Sequence, residues 1–285
     1  MKTTEFRYLQ GLRVRWAEVD MQKIVFNGHY LMYFDTAVGG YWRALAMPYH
    51  DTMEQLQGDL YVRKATLEYL GSARYDEKLS VGIACKRIGN SSLLFAAAVF
   101  RGDQCLVHGE LVYVFADPVT QTSRPVPDTL RKVLQAFEAG EAMFEVQTGD
   151  WATHGPAAQV LRREVFVQEE GMPDFQVSDE ADPQALHATA RNRFGSALAT
   201  GRLTQPAPGL GQLGRMATAS TVRGAGLGWA VLQALLAAAR KRGDQQVKLL
   251  AKSSAISFYA RAGFLPFGPA FEEAGVQHQE MRLDL

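Results

Sequence analysis

Along the first 116 residues the apolar positions fall into one helical period and several strand-like runs. Tyr30, Phe34, Val38, Tyr41, Trp42 and Leu45 recur at three- and four-residue spacing, with Met32, Tyr33 and Ala37 on the other sides, which predicts a helix over about 28–46. A helix apolar most of the way round must be enclosed, and a strongly curved antiparallel sheet wrapped round it would enclose it. "FRYLQGLRVRWAE" reads as a strand with Leu12, Val14 and Trp16 on one face, and "DLYVRKATLEYL", "KLSVGIACKRI", "SSLLFAAAVFR" and "QCLVHGELVYVFAD" read as four more. The breaks "RIGNSS" and "RGDQ" are short and turn-forming, so the later strands form antiparallel hairpins. One long helix with about five long strands is an α+β layer pattern.

The pattern then changes in kind. "DPVTQTSRPVPD" interrupts the chain with three prolines, and a helix over 128–144 follows with Asp128 as its N-cap. "QTGDWATHGPAA" is a second irregular stretch, which places a domain boundary near 148 and divides the chain into 1–148 and 149–285. Beyond it the expected order is helix (157–169), strands (185–193, 196–203, 211–219), helix (226–242), strand (246–251), helix (253–262) and further strands, a mixed α/β arrangement. The two halves share no repeat.

Composition narrows the class. A length of 285 residues suits two ordinary domains. Lys plus Arg and Asp plus Glu are 30 each, so the chain lacks the basic excess of a nucleic-acid binder. No run approaches eighteen consecutive apolar residues, so no membrane span is expected, and "MKTTEFRYLQ" lacks the apolar core of a signal peptide. The expected location is cytoplasmic, where Cys85 and Cys105 would be free buried thiols. Six histidines without HxH or HxxxH spacing predict no metal site.

Candidate chemistry begins in "EVDMQKIVFNGHYLMYFD", where Asp20 precedes the greasy helix by a short apolar turn. The first-turn amides of a helix lack internal partners and carry partial positive charge, so they can polarise a carbonyl and stabilise its oxyanion. A carboxylate held across the turn could attack that carbonyl or activate a water to do so. One acid and one donor set suffice for a reactive ester.

The segment "VRWAEVDMQKIVFNGHYLMYFD" resembles the entry segment of hotdog-fold acyl-CoA thioesterases of the 4-hydroxybenzoyl-CoA thioesterase group, and the likeness spans about 8–140. The resemblance implies that Asp20 is the catalytic carboxylate and that the amide of Asn27 or Gly28 supplies the oxyanion contact, with His29 beside the thioester. It also implies a dimer or tetramer formed through this domain. Two positions depart from the family pattern: Lys23 stands where a turn glycine is usual, and His29 where Asn usually precedes the Tyr. Asp35, inside the helix, is a weaker candidate.

The second candidate is "VRGAGLG" at 222–228. Glycines at a helix start let backbone amides approach a diphosphate, and the helix dipole adds to the attraction. The spacing does not fit GxGxxG, and no Walker A lysine follows. It resembles the acetyl-CoA motif [Q/R]xxGxG/A of GNAT N-acetyltransferases, with Arg223, Gly226 and Gly228 matching. By that resemblance Met216, Ala217 and Thr218 pair with the pantetheine arm, and Gly224, Ala225 and Leu227 complete the cofactor loop. "SFYARAGF" is similar to the family's FYxxxGF segment and makes Tyr259 the general acid. "LRREVFVQEEGMP" and "EEAGVQHQEMRL" resemble the ElaA-like branch, which implies Glu273 and His278 on the acceptor side.

Both resemblances imply thioesters of coenzyme A. The expected protein is bifunctional, hydrolysing acyl-CoA and moving acetyl from acetyl-CoA to an unidentified amine, with neither nucleic-acid nor membrane partners. The alternative is a CoA-responsive binding or scaffold protein whose hotdog half is silent and serves oligomerisation.

Overall fold

The first strand, β1 (Tyr8–Arg13), stops earlier than its alternation predicts. Glu18 turns its carboxylate back to the Arg15 amide at 2.8 Å and winds Trp16–Glu18 into a 3-10 turn. Val14 is buried as expected, but Trp16 is 74% exposed rather than on the core face. The computed structural model describes residues 1–273 and 275–285, the side chains of Gln176 and Glu273 excepted. Two compact units divide at Met143/Phe144.

In the first unit, α1 (Asn27–Ala44) and α2 (Tyr49–Gln55) precede β2 (Asp59–Tyr69), β3 (Lys78–Ile88), β4 (Ser92–Arg101) and β5 (Gln104–Ala116), and α3 (Asp128–Glu138) closes it. The sheet order is β1-β3-β4-β5-β2, antiparallel throughout. Phe34, Ala37 and Tyr41 of α1 are wholly enclosed. The helix is nonetheless not buried all round, because Leu31 and Met32 are 42% and 55% exposed. The Tyr41 hydroxyl donates to Glu138 at 2.6 Å, and the same oxygen accepts the Cys85 amide at 2.8 Å where β3 bulges. Burial and the Glu138 carboxylate push the Cys85 thiol up to about 12, so it is inert at neutral pH. Both cysteines are free.

The helix expected over 128–144 ends at Glu138, where Gly140 turns the chain with φ of 88°. Its N-cap is Pro127, with Asp128 as the first helical residue. The stretch read as an irregular boundary is ordered: β6 (Phe144–Gly149) pairs with the next strand, and Asp150 caps α4 (Trp151–Arg162) by accepting from the Thr153 amide at 2.9 Å. Instead of one helix over 157–169, α4 gives way to a π-helical turn, Arg163–Glu169.

The rest of the second unit runs β7 (Leu186–Asn192), β8 (Ala197–Ala207), β9 (Leu210–Thr218), α5 (Leu227–Arg242), β10 (Gln246–Lys252), α6 (Ile256–Ala260), β11 (Leu265–Pro266), β12 (Phe271–Glu273) and β13 (Val276–Asp284). The sheet order is β11-β13-β10-β9-β8-β7-β6, with β12 beside β13. β9 and β10 are parallel but pair only at Leu210–Gln212, so the strands part beyond that point and leave one edge of β9 open. Among the described residues no helix is long and apolar enough to cross a membrane.

A buried ion network underlies α4. Arg162 (0% exposed) donates to both oxygens of Asp182 (1% exposed) at 3.0 Å; Arg202 bridges Asp182 and Asp179, and Arg215 reaches Asp179 at 2.9 Å. Asp182 is thus a buried anchor that also accepts the Asp179 amide at 3.0 Å, whereas Asp179 lies at the exposed end of the network and caps the loop by accepting the Ala181 amide at 3.0 Å. His187, buried between this network and Trp151, and His154, bonded to Thr189 at 3.1 Å, both have lowered pKa values because burial penalises their charged forms. The unfolded chain therefore takes up protons near pH ~6.5 that the folded one refuses, so stability falls as pH drops below that value. The arginine-bonded Asp179 and Asp182 are depressed, and their contribution is lost only as pH falls below about 4. The urea midpoint of this unit is expected to decline from pH 7 to 5 and to fall more steeply below 4. A midpoint flat from 7 to 5 would count against the histidine contribution.

Candidate active sites

The loop before α1 is a closed turn. Val19 bridges Val25, the Asp20 amide donates to Ile24 at 3.0 Å, and the Lys23 amide donates back to Asp20 at 2.9 Å. One carboxylate oxygen of Asp20 accepts the Gln22 amide at 2.8 Å, and among the described residues the other has no donor. Asp20 is half-buried and faces a cavity of about 520 Å³ with Asn27, Tyr30, Tyr69 and Ser72. The Tyr69 hydroxyl donates to the Asn27 carbonyl at 3.1 Å and the Ala73 amide donates to the Tyr30 hydroxyl at 2.9 Å, which fixes the mouth. Among the described residues the amides of Asn27 and Gly28 have no protein acceptor; that of His29 is taken by Phe26 at 2.9 Å.

The expected cluster is only partly assembled. Asp20 and Asn27 share the cavity, whereas Gly28 lines a second, apolar groove of about 440 Å³ on the open side of α1, with Leu31, Met32, Asp35, Val62 and Tyr113. The His29 ring lies against Phe26 and 3.3 Å from the Met32 sulfur. Burial pushes the Tyr113 phenol up to about 12, with Asp35 adding to it.

Sequence reasoning missed the support for Asp20. Glu18, two residues upstream and 4% exposed, accepts from the Tyr33 hydroxyl at 2.6 Å and from Arg15, while its carbonyl takes the Phe26 amide. Burial alone would raise its pKa, but Tyr33 and Arg15 hold it low. The signal was present as a second acid in "AEVD".

Lys23 adopts φ of 62°, the left-handed conformation that an L side chain enters at a cost of about 1 kcal/mol. Lys23→Gly is expected to raise stability by about 0.5–1 kcal/mol, the relieved strain being partly offset by the freer unfolded chain. The shift would be read from the urea midpoint of the first unit. A loss of stability would mean that the lysine side chain contributes something the backbone does not show.

In the second unit the chain passes from β9 through Ser220–Val222 into the glycine loop. Gly224 and Gly226 have φ of 87° and 91°, and a Cβ at either would meet nothing within 4 Å, so the loop is open to a ligand. Gly226 caps α5, and among the described residues the amides of Gly226, Leu227 and Gly228 have no backbone acceptor. A cavity of about 1080 Å³ joins Met216, Ala217 and Thr218 to Arg223, Gly224, Gly226, Leu227, Gly228 and Tyr259. Ala225, whose amide donates to Val222 at 3.2 Å, completes the loop. Arg223 is already occupied: its guanidinium is bidentate to Glu169 at 2.5 and 2.7 Å, while Lys252 holds Glu170 at 2.5 Å. Glu169 lies 54 residues upstream, so nothing local announced it.

Tyr259 is 8% exposed between Phe258 and Phe264, and burial pushes its phenol up to about 12, so it carries its proton at neutral pH. His278 sits on β13 with Nδ1 2.9 Å from the Val276 carbonyl and its ring stacked on Phe271. The side chain of Glu273 lies outside the described residues. No three His, Cys, Asp or Glu among the described residues converge closely enough to hold a metal ion.

Comparison with known proteins agrees with this division. Residues 22–108 match the family model described as thioesterase superfamily, and 176–285 that of an acetyltransferase (GNAT) domain. Acyl-CoA thioester hydrolase YbgC of Escherichia coli O157:H7 is 25% identical over 134 residues, 46% of this chain and 96% of that protein. The uncharacterized N-acetyltransferase YjcF of Bacillus subtilis is 30% identical over 125 residues, 44% of this chain and 88% of that one. A solved putative N-acetyltransferase from Lactobacillus plantarum is 26% identical and covers 50% of this chain and 99% of its own, with a TM-score of 0.48. The chain thus belongs to the GNAT acetyltransferase family by its second half, and its first half carries the match to the thioesterase superfamily.

Proposed function

We propose that the protein is a bifunctional enzyme of CoA thioesters. Its first domain hydrolyses acyl-CoA, and its second transfers acetyl from acetyl-CoA to an amine. The observation that carries the first reading is that one cavity is lined by Asp20 and Asn27, which among the described residues have a carboxylate oxygen without a donor and an amide without an acceptor. A thioester carbonyl oxygen received by that amide becomes electrophilic. Asp20 then either attacks its carbon or takes a proton from a water that does. The C–S bond breaks and CoA leaves as the thiol, taking the proton that Asp20 drew from the attacking water, or, where Asp20 itself attacks, a proton from solvent, after which water cleaves the acyl–Asp20 anhydride. Edge strand β2 and the exposed stripe of α1 are the surfaces a homo-oligomer of this domain would cover.

For the second domain the unpaired amides of Gly226–Gly228 would hold the diphosphate, and the open edge of β9 at Met216–Thr218 the pantetheine arm. An amine attacks the acetyl carbonyl, forming C–N and breaking C–S. The neutral Tyr259 hydroxyl supplies the proton that the departing thiolate takes, and the proton released by the acetylated nitrogen passes to solvent, from which Tyr259 is reprotonated. His278 and Glu273 are proposed on the acceptor side from family likeness alone.

The test is free-thiol release by the full chain from short, long and aromatic acyl-CoAs, first without amines and then with an amine panel. Hydrolysis that survives Tyr259→Phe, together with amine-dependent release that does not, is the expected result. CoA binding that raises the melting temperature without thiol release under either condition would favour the sensor or scaffold reading.

A further inference from the structure

Two residues of β9 stand opposite one residue of β8. Thr200 pairs with Ala217 and Arg202 with Gly214, so Gly201 alone faces Arg215 and Met216. This is a β-bulge whose first residue is left-handed, Arg215 having φ of 53°. Bulges of that form are ordinarily built with glycine, because an L side chain resists the conformation. A bulge also bends its strand, and this one comes just beyond Gln212, the last residue of β9 paired with β10. Its second residue, Met216, lines the cavity of the glycine loop. Gly201 leaves room for it, since a Cβ there would collide with the Met216 sulfur.

Side chains supply what the backbone of Arg215 lacks. Its guanidinium donates to Asp179 at 2.9 Å, and the same carboxylate is bidentate to Arg202, which flanks the bulge on β8, at 2.5 and 2.6 Å. Asp179 therefore ties the two strands together across the bulge and separates two like charges that would otherwise face each other. It is itself anchored, because its amide donates to Asp182 at 3.0 Å and Asp182 is held by the enclosed Arg162 of α4. Among the described residues Arg215 has no second carboxylate, and its buried Nε has no acceptor. A strained backbone and an orphaned donor thus meet at one residue, and Asp179 is what it leans on.

We propose that Asp179 is a positioning residue for the coenzyme: by joining Arg202 to Arg215 it keeps the β9 bulge left-handed and holds the Met216–Thr218 edge in the form that receives the pantetheine arm. The inference rests on the reading of that edge and the glycine loop as a CoA site. Arg215 acts through its backbone conformation and not as a ligand contact. The loop that carries Asp179 thereby governs coenzyme affinity without touching the coenzyme.

The test compares the full chain with Asp179→Asn, Arg215→Gln, Arg215→Gly and the double variant Asp179→Asn/Arg215→Gly. Hydrogen exchange of 213–218 is titrated with CoA, and exchange in β7 reports on the rest of the unit. Asp179→Asn and Arg215→Gln are expected to raise the CoA concentration for half-protection about tenfold, the scale of the left-handed penalty of one L residue. Arg215→Gly removes the same cation, yet it should stay closer to wild type than to Arg215→Gln, because glycine adopts the conformation unaided. The double variant should recover most of what Asp179→Asn loses. Arg215→Gly as impaired as Arg215→Gln would show that the side chain acts rather than the backbone, and Asp179→Asn equal to wild type would show that the bulge needs no clamp. Either result overturns the proposal and leaves the CoA reading intact. Where Asp179→Asn also loosens β7, the two Arg215 variants decide. Absence of protection of 213–218 by CoA in wild type overturns the CoA reading and this proposal with it.

Discussion

Asp20→Asn is expected to lower acyl-CoA hydrolysis by about 100- to 10,000-fold, the range over which a positioned acid–base group acts. The substitution is chosen to separate chemistry from structure. Among the described residues the Asp20 side chain makes one hydrogen bond, accepting the Gln22 amide, and an amide oxygen can do that as well. The turn is otherwise closed by backbone bonds to Ile24 and Lys23 and by the Val19–Val25 bridge, none of which needs a carboxylate. What the variant loses is the charge on the oxygen without a donor. Melting temperature and oligomeric state should be unchanged while kcat/KM collapses for every acyl-CoA that wild type hydrolyses. Activity within a few-fold of wild type would remove Asp20 from the mechanism. A parallel fall in stability would show that the carboxylate holds the turn rather than the reaction.

Asp182→Asn is expected to be the costliest single change to the second unit. It leaves Arg162, fully enclosed, with a protonated guanidinium that faces one neutral amide oxygen in place of a carboxylate, its other contacts being the Val177 carbonyl at 3.3 Å, the His187 ring and the face of Trp151. Removing one partner of a buried ion pair costs about 3–5 kcal/mol, because the orphaned charge can neither reach water nor lose its proton. The cost belongs to the orphan and not to the pair. Arg162→Met combined with Asp182→Asn should therefore recover part of the loss, even though more polar contacts have been removed. Urea denaturation followed by exchange in β7 and β8 would measure both. A single variant within about 1 kcal/mol of wild type would show that water reaches Arg162, contrary to its enclosure.

The features legible in the sequence were those set by short stretches of chain. The glycine loop could be read because φ at Gly224 and Gly226 and the unpaired amides beyond them are local properties. The Asp20 turn and the start of α1 were legible for the same reason. Side-chain contacts between distant segments were not. Glu169 and Arg223, Arg162 and Asp182, and Tyr41 and Glu138 are brought together by the fold, and periodicity carries no record of them. The apolar period of α1 suggested enclosure on every side, yet Leu31 and Met32 are exposed, because a hydrophobic face does not say whether its cover comes from the same chain. The irregular composition of "QTGDWATHGPAA" concealed a strand and a capped helix, since Gly149, Asp150 and Pro156 are all tolerated near a strand end and the first turns of α4.

The Glu169–Arg223 pair has a bearing on which anions the glycine loop admits. The loop's own cation already carries a bidentate carboxylate partner, so an arriving ligand must displace that partner or bind beside it. A small monovalent anion, or a lone inorganic phosphate, offers little beyond what Glu169 supplies. A long ligand that gains at several points along the cavity can bear the exchange. If the loop is a diphosphate site as proposed, the acidic side chain would act as a resident competitor, disfavouring small anions there relative to a multivalent one.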